Sequence, residues 1–271
     1  AVPIKLPIPG VERALSLRNL VDLDAIVAAL EADAKSAAIL GGGFIGLEIA
    51  ENLVHRGLQV TLIEASDQVL APLDIEMARP VAQVLRGNGV DVRLGVTADQ
   101  ITENEVVLSD GNRVSADIVI SAIGVRPESD LARAAGLKVG ERGGIVVDEY
   151  LRTSDPNIYA LGDATEKIDN LDGSSVLVPL AQNANRNGRL VADIIAGRDV
   201  KAAPVLGTAI LGVFGLSIAN TGWNEKRLIA SGRKYQAVHT HPDSHAGYYP
   251  GSQAMSLKLL FDPETDEILG A

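Results

Sequence analysis

The run Gly41-Gly42-Gly43-Phe44-Ile45-Gly46 has the residue types and spacing with the clearest chemical meaning in this chain. It matches G-x-G-x-x-G, follows the apolar residues 37–40 and precedes a helix-like pattern over 44–56. In a strand–turn–helix, Gly41 permits the tight turn, Gly43 lets the backbone touch a pyrophosphate, and Gly46 lets the helix pack close to the strand. Phosphates would then meet free N–H groups and the positive end of a helix dipole. Glu64 ends the next apolar run, Val60-Thr61-Leu62-Ile63. Its carboxylate is placed to accept hydrogen bonds from an adenosine ribose and would repel a 2′-phosphate. The following Ala65-Ser66-Asp67-Gln68 offers no Arg or Lys to reverse that preference. The pattern predicts NAD(H), not NADP(H).

These residues need a sheet to hold them, and the chain supplies the pieces. Residues 1–10 contain three prolines and read as an extended connection. From Asp22, Leu23, Ile26, Val27 and Leu30 fall at helical spacing, with Asp22 or Asp24 as the expected cap. Residues 74–87 read as a helix in which Pro80 predicts a kink or a late start. Residues 90–94 read as a strand. Residues 105–116 read as a hairpin turning at Asp110-Gly111. Residues 117–123, DIVISAI, form the nearly continuous apolar run of a buried parallel strand. The fold class is therefore α/β, a parallel sheet with helices on its faces and an antiparallel insert. Short strands follow from Gly143, then a helix over about 180–196 ended by Gly197. From Gly207 the chain is rich in Gly, Thr and β-formers and predicts an antiparallel sheet.

Composition narrows the function classes. The 271 residues carry 24 Lys+Arg against 35 Asp+Glu, a net charge of −11, which argues against a nucleic-acid binder or a protein held on anionic lipid. Aromatics are only 3%, so stacking platforms for single strands are few. With 46% hydrophobic residues the chain can bury a core. No apolar run approaches the roughly 20 residues of a membrane span. There is no cysteine, hence no disulfide, thiolate metal site or thiol nucleophile within these residues. That usage fits a reducing, cytoplasmic setting.

Three ordered segments carry a resemblance. They are Gly41 to Glu48 (GGGFIGLE), Ala122-Ile123-Gly124-Val125-Arg126-Pro127, and Thr153 to Ala164 (TSDPNIYALGDA). Together they resemble the FAD-dependent pyridine nucleotide-disulfide oxidoreductases. Leu180-Ala181 to Arg189 and His245 to Gly251 (HAGYYPG) are similar to one branch, which holds coenzyme A-disulfide reductases, NADH-dependent persulfide reductases and NADH oxidases and peroxidases. The resemblance implies two cofactors, FAD and NAD(H), and a Rossmann-like NAD domain. Gly41, Gly43, Phe44, Ile45 and Gly46 would hold the dinucleotide, and Glu48 would lie near its nicotinamide. Ile123 and Gly124 would line the same cleft. Asp163, after Gly162, would bind the flavin ribityl and phosphate region; taken alone it reads as an Asp turn. The helix start at Leu180-Ala181 would face the flavin pyrimidine and stabilise its negative charge.

The domain order implied is the end of a first FAD segment and linker at 1–21, the NAD domain at 22–145, a second FAD segment at 146–204, and the N-terminal part of a dimerisation domain at 205–271. The family's own N-terminal FAD motif and redox Cys have no counterpart in these residues. The chain begins at Ala1 and stops at Gly270-Ala271, and it reads as a fragment that is inactive alone. The parent is expected to be a homodimeric reductase of a small disulfide, persulfide or polysulfide, coenzyme A-linked as the first expectation. An NADH oxidase or peroxidase and a dinucleotide-sensing module without turnover are the alternatives.

Two weaker constellations remain. His239, His241 and His245 could bind zinc, yet no carboxylate or Cys partner stands at a recognisable spacing, so they are read as polar interface or pocket residues and no metal is assigned. Tyr248-Tyr249 reads either as packing at a strand end or, by the resemblance, as a catalytic tyrosine reaching the partner subunit's thiol site.

Overall fold

A strand buried on both faces is read from its apolar run, and Ser36–Leu40 and Ile118–Ser121 are of this kind within a sheet of five parallel strands. The computed structural model describes residues 1–271. The sheet order is Ala14–Leu15, Ile118–Ser121, Ser36–Leu40, Gln59–Glu64, Asp91–Leu94, every pair parallel. Side chains alternate across it. Ala37 and Ile39 join one buried cluster, with Leu47, Leu53, Leu62, Val81, Leu85 and Ile120. Ala38 and Leu40 join a second, with Ile63, Ile101, Val106, Leu108 and Val114. The first cluster is supplied by the helices Leu20–Glu31, Phe44–His55 and Ile75–Gly87. The second comes from the insert, in which Ala98–Ile101, Glu105–Leu108 and Arg113–Ser115 form an antiparallel sheet. The expected hairpin thus gains a third strand at 98–101, and Gly111 takes the positive φ of its turn.

One local expectation is corrected, and of the two readings of Pro80 the late start is excluded. The helix Leu20–Glu31 is capped by Asn19, whose side chain accepts the Asp22 N–H, not by Asp22 or Asp24. Asn19 starts the helix earlier because its extended backbone brings Oδ1 over the first turn. The helix at Ile75–Gly87 starts on time at the Asp74 cap with Pro80 inside it. Burial of Ala78, Val81, Ala82 and Leu85 holds this stripe against the sheet and offsets the lost N–H.

The chain divides into two compact units. One comprises residues 1–4 with 125–209, the other 5–124 with 210–271. In the first, Val2–Pro3 pairs antiparallel with Val125–Arg126, and the helix Ala181–Ile195 ends before Gly197 at φ +84°. In the second, the antiparallel sheet expected in the last region is present as Gln236–Thr240, Leu257–Phe261 and Ile268–Gly270. A short helix, Glu225–Ser231, stands before it. Leu211 and Val213 from this region enter the same buried cluster as the parallel sheet.

Candidate functional site

The turn after Ser36–Leu40 is built as its glycines require. Gly41 has φ +106°, and a Cβ there would sit 2.6 Å from the Ala122 carbonyl oxygen. A Cβ on Gly46 would lie 2.0 Å from the Gly41 carbonyl oxygen, so helix and strand touch through backbone alone. Gly43, the N-cap of Phe44–His55, has no side-chain cap, and a Cβ there would meet nothing within 4 Å. The helix start is thus open, with donors to spare. This is the fit that a pyrophosphate needs.

Glu64 stands at the end of the neighbouring strand. Its Oε2 accepts the Gly42 N–H at 2.6 Å, and its Oε1 accepts Ser66 N–H at 2.8 Å and the Ser66 hydroxyl at 2.7 Å. Ile45 and Glu48 are exposed on the outer face of Phe44–His55. They line a cavity of about 550 Å³ with Leu17, Leu23, Ile26 and Arg56. Gly124 has φ +108° and follows Ile123 beyond Ile118–Ser121, where Ala122 N–H bonds the Leu40 carbonyl. Gly41, Gly43, Gly46, Glu64, Ile123 and Gly124 therefore gather at the carboxyl ends of adjacent strands, the place where open α/β sheets bind ligands.

The other unit holds the remaining cofactor candidates. Gly162–Ala164 is a single 3₁₀ turn with Gly162 at φ +86°. It packs on the helix Ala181–Ile195: a Cβ on Gly162 would lie 3.9 Å from Ala184 Cβ, and one on Gly188 3.8 Å from Leu161 Cδ1. Asp163 is thereby fixed beside the helix start. That start, capped by Leu180, has no side-chain cap, and Ala181 with Gln182, Asn185, Arg186 and Arg189 lines a cavity of about 470 Å³. The uncapped N–H groups and the adjacent turn fit part of a flavin site. Beneath the turn lies Lys167, a buried cation the sequence did not single out. Its Nζ donates to Gly162 O at 2.7 Å and Thr165 O at 3.0 Å. Burial lowers its pKa and the charge of Asp163 opposes that shift.

A chain with this loop, this acid and this turn matches a known sequence profile, described as pyridine nucleotide-disulphide oxidoreductase, over residues 1–188. The chain belongs to the pyridine nucleotide-disulphide oxidoreductase family. It is 34% identical over 259 residues to the coenzyme A disulfide reductase of Staphylococcus aureus (strain JH9), covering 94% of this chain and 58% of that protein. The reduced CoADR-RHD structure from Bacillus anthracis superposes with TM-score 0.96 at 43% identity, over 99% of this chain and 49% of the other. A NAD-dependent persulfide reductase structure from A. fulgidus gives TM-score 0.97 at 36% identity, over 99% and 51%. The chain spans about half the length of such relatives. The cofactors of this family are FAD and NAD(H), the pair that the resemblance implied.

The remaining sequence candidates lie in and between the strands Gln236–Thr240 and Leu257–Phe261. Tyr248 and Tyr249 are exposed at 84% and 61%, their ring centroids 4.9 Å apart, at the tip between Gln236–Thr240 and Leu257–Phe261. The three histidines meet three different partners: His239 meets Glu76, His241 meets Ser256, and His245 meets Ser244. Sequence reasoning missed a buried charge cluster altogether. Lys258, nearly inaccessible, pairs with Asp74 at 2.8 Å, with Glu225 at 3.2 Å and with Glu76. Burial raises the Glu76 pKa, but hydrogen bonds from Lys258 and His239 prevail and bring it down to about 2. Burial lowers that of Lys258, and Asp74 and Glu76 overcome it and raise it. The three carboxylates lie within 4.8 Å of one another, with the ammonium as their shared counter-ion.

Proposed function

We propose that this chain is the dinucleotide-binding part of a homodimeric, cytoplasmic flavoprotein that uses NADH to reduce a small disulfide, persulfide or polysulfide, coenzyme A-linked as the first choice. The observation that carries the reading is the open N-terminus at Gly43, with Glu64 bonded to the adjacent residue of the same loop. The named activities of the Staphylococcus aureus and A. fulgidus relatives support it.

When bound, FAD would accept hydride from NADH and hand the electrons to a cysteine-based centre. The residues here bind and orient. Gly41, Gly43, Phe44, Ile45 and Gly46 hold the pyrophosphate, Glu64 the adenosine ribose, and Glu48, Ile123 and Gly124 the nicotinamide end. Gly162, Asp163, Leu180 and Ala181 hold the flavin side. Tyr248 or Tyr249 donates a proton or hydrogen bond at the thiol site of a partner subunit. On this reading residues 1–21 and 146–204 belong to the FAD domain, 22–145 to the NAD domain and 205–271 to the dimer domain.

Steady-state assays of the whole flavoprotein with NADH against coenzyme A disulfide, a persulfide, oxygen and peroxide decide the acceptor. Highest kcat/KM with the sulfur acceptors is expected. Oxygen or peroxide as the best acceptor would replace the reading by an oxidase, and no turnover with any would leave a sensing module.

A further inference from the structure

We propose that Gln68, oriented by Lys226, is a positioning residue that holds Glu64 and the Gly42 backbone in their dinucleotide-binding arrangement; this rests on the NAD(H) reading above. The hydrogen bonds around Glu64 close into a ring. Glu64 accepts from Gly42 N–H and from Ser66. The Ser66 hydroxyl also lies 2.9 Å from the Gln68 carbonyl oxygen, so its single proton is shared between two acceptors. The Gln68 side-chain amide donates among the carbonyls of Val69, Leu70 and Leu73, at 3.3, 3.3 and 3.0 Å. Leu70 N–H returns to the Gly42 carbonyl at 2.9 Å.

The ring contains a strained member. Leu70 is buried at φ +49°, a left-handed conformation that a branched side chain seldom adopts. Such a residue persists only where its surroundings over-determine it. The buried Gln68 amide and the Gly42 carbonyl do so here. The amide has one workable orientation. Its Oε1 accepts Lys226 Nζ at 3.2 Å, while its NH₂ faces three carbonyl oxygens. Turned over, it would set NH₂ against an ammonium and oxygen against oxygens.

Lys226 comes from the far end of the chain and grips the same segment by the Ala71 carbonyl at 2.8 Å. The start of its helix is seated there too. Asn224 Nδ2 donates to the Pro72 carbonyl at 3.0 Å and Glu225 N–H to Asp74 at 3.0 Å. The last region of the chain therefore sets the geometry of the ribose acid. The ligand served is the adenosine ribose of a dinucleotide lacking a 2′-phosphate.

The test is calorimetric titration of the full chain with NADH and NADPH, with melting temperatures measured alongside. Lys226→Met is expected to weaken NADH binding about three- to tenfold and to move the melting temperature by no more than about 2 °C. Lys226→Arg should restore most of the affinity, and Gln68→Met should lose at least as much as Lys226→Met. If Lys226→Met and Gln68→Met bind NADH as the parent does while Glu64→Ala binds it weakly, the positioning role is wrong and the NAD(H) reading stands. If Glu64→Ala also binds normally, both fall. An affinity loss that appears only with a large fall in melting temperature, or that Arg does not rescue, likewise overturns the role in favour of simple packing.

Discussion

The Gly42 N–H donates to Glu64 Oε2 at 2.6 Å, so the acid expected at the ribose is bonded to the loop expected at the phosphates. With the two Ser66 donors, three hydrogen bonds already fix the carboxylate. An ionised carboxylate has about four acceptor sites, which leaves room for a ribose hydroxyl and none for a phosphate. NADH should bind at least tenfold tighter than NADPH, about 1.4 kcal/mol. Glu64→Ala should narrow that gap and also free the Gly42 N–H. Equal affinities in calorimetric titration of the parent chain would refute the assignment.

Gly43 and Gly46 separate binding from folding. The space beside Gly43 is open, so Gly43→Ala should keep its melting temperature yet crowd the pyrophosphate and weaken NADH. At Gly46 a side chain would run into the Gly41 carbonyl 2.0 Å away, and backbone must move. Gly46→Val should therefore lose stability by more than about 1–3 kcal/mol. Thermal melts and NADH titration of both variants check this. Similar melting temperatures for the two would contradict it.

The Lys258 cluster predicts a pH signature. Lys258→Met leaves buried Asp74 without its cation, which costs about 3–5 kcal/mol when one partner of a buried pair is removed. The folded pKa of Glu76 is depressed from 4.5 to about 2, so its contribution is present above 4.5 and lost as pH falls toward 2. That of Lys258 is raised from 10.5, so its contribution is present below 10.5 and lost as pH rises through the higher folded value. The stability gap between parent and variant should be full between about 4.5 and 10.5 and shrink outside that window. Denaturant melts across pH measure it; a gap that stays constant down to pH 2 would exclude the linkage.

On the proposed function, the tyrosine pair would act in only one of the half-reactions. In the whole protein, Phe at the right position of Tyr248 or Tyr249 should slow thiol release about a hundred- to a thousandfold, the cost of one donor in a dry site. Reduction by NADH should be nearly unchanged. Stopped-flow measurement separates the two steps. A full oxidative rate in both Phe variants would leave the pair as surface packing.

Much was legible from local order. G-x-G-x-x-G between a strand and a helix, with an acid closing the next strand, needs only short-range geometry to be read. The buried parallel strand at Ile118–Ser121 was visible because a strand covered on both faces is apolar throughout. The Asp110-Gly111 turn was visible because its φ demands glycine. Asn19 was overlooked because Asp22 and Asp24 compete as caps by residue type, and only the extended backbone of Asn19 decides between them. Glu225–Ser231 is too short to show helical periodicity.

Residue type and spacing by themselves determined the parallel sheet, the glycine turn between strand and helix, the acid that closes the next strand, and the family. Only the tertiary structure decided what holds that acid in place and where the buried charges lie. Lys258 and Asp74 are 184 positions apart, and Lys226 and Gln68 are 158 apart. No periodicity links residues at such separations. Their types, a lysine with carboxylates and a lysine with an amide, would read equally well as solvated surface. Burial turns Lys258, Asp74 and Gln68 into groups that need partners, because a charge or amide removed from water must find its hydrogen bonds within the fold, and burial is a property of the packed chain.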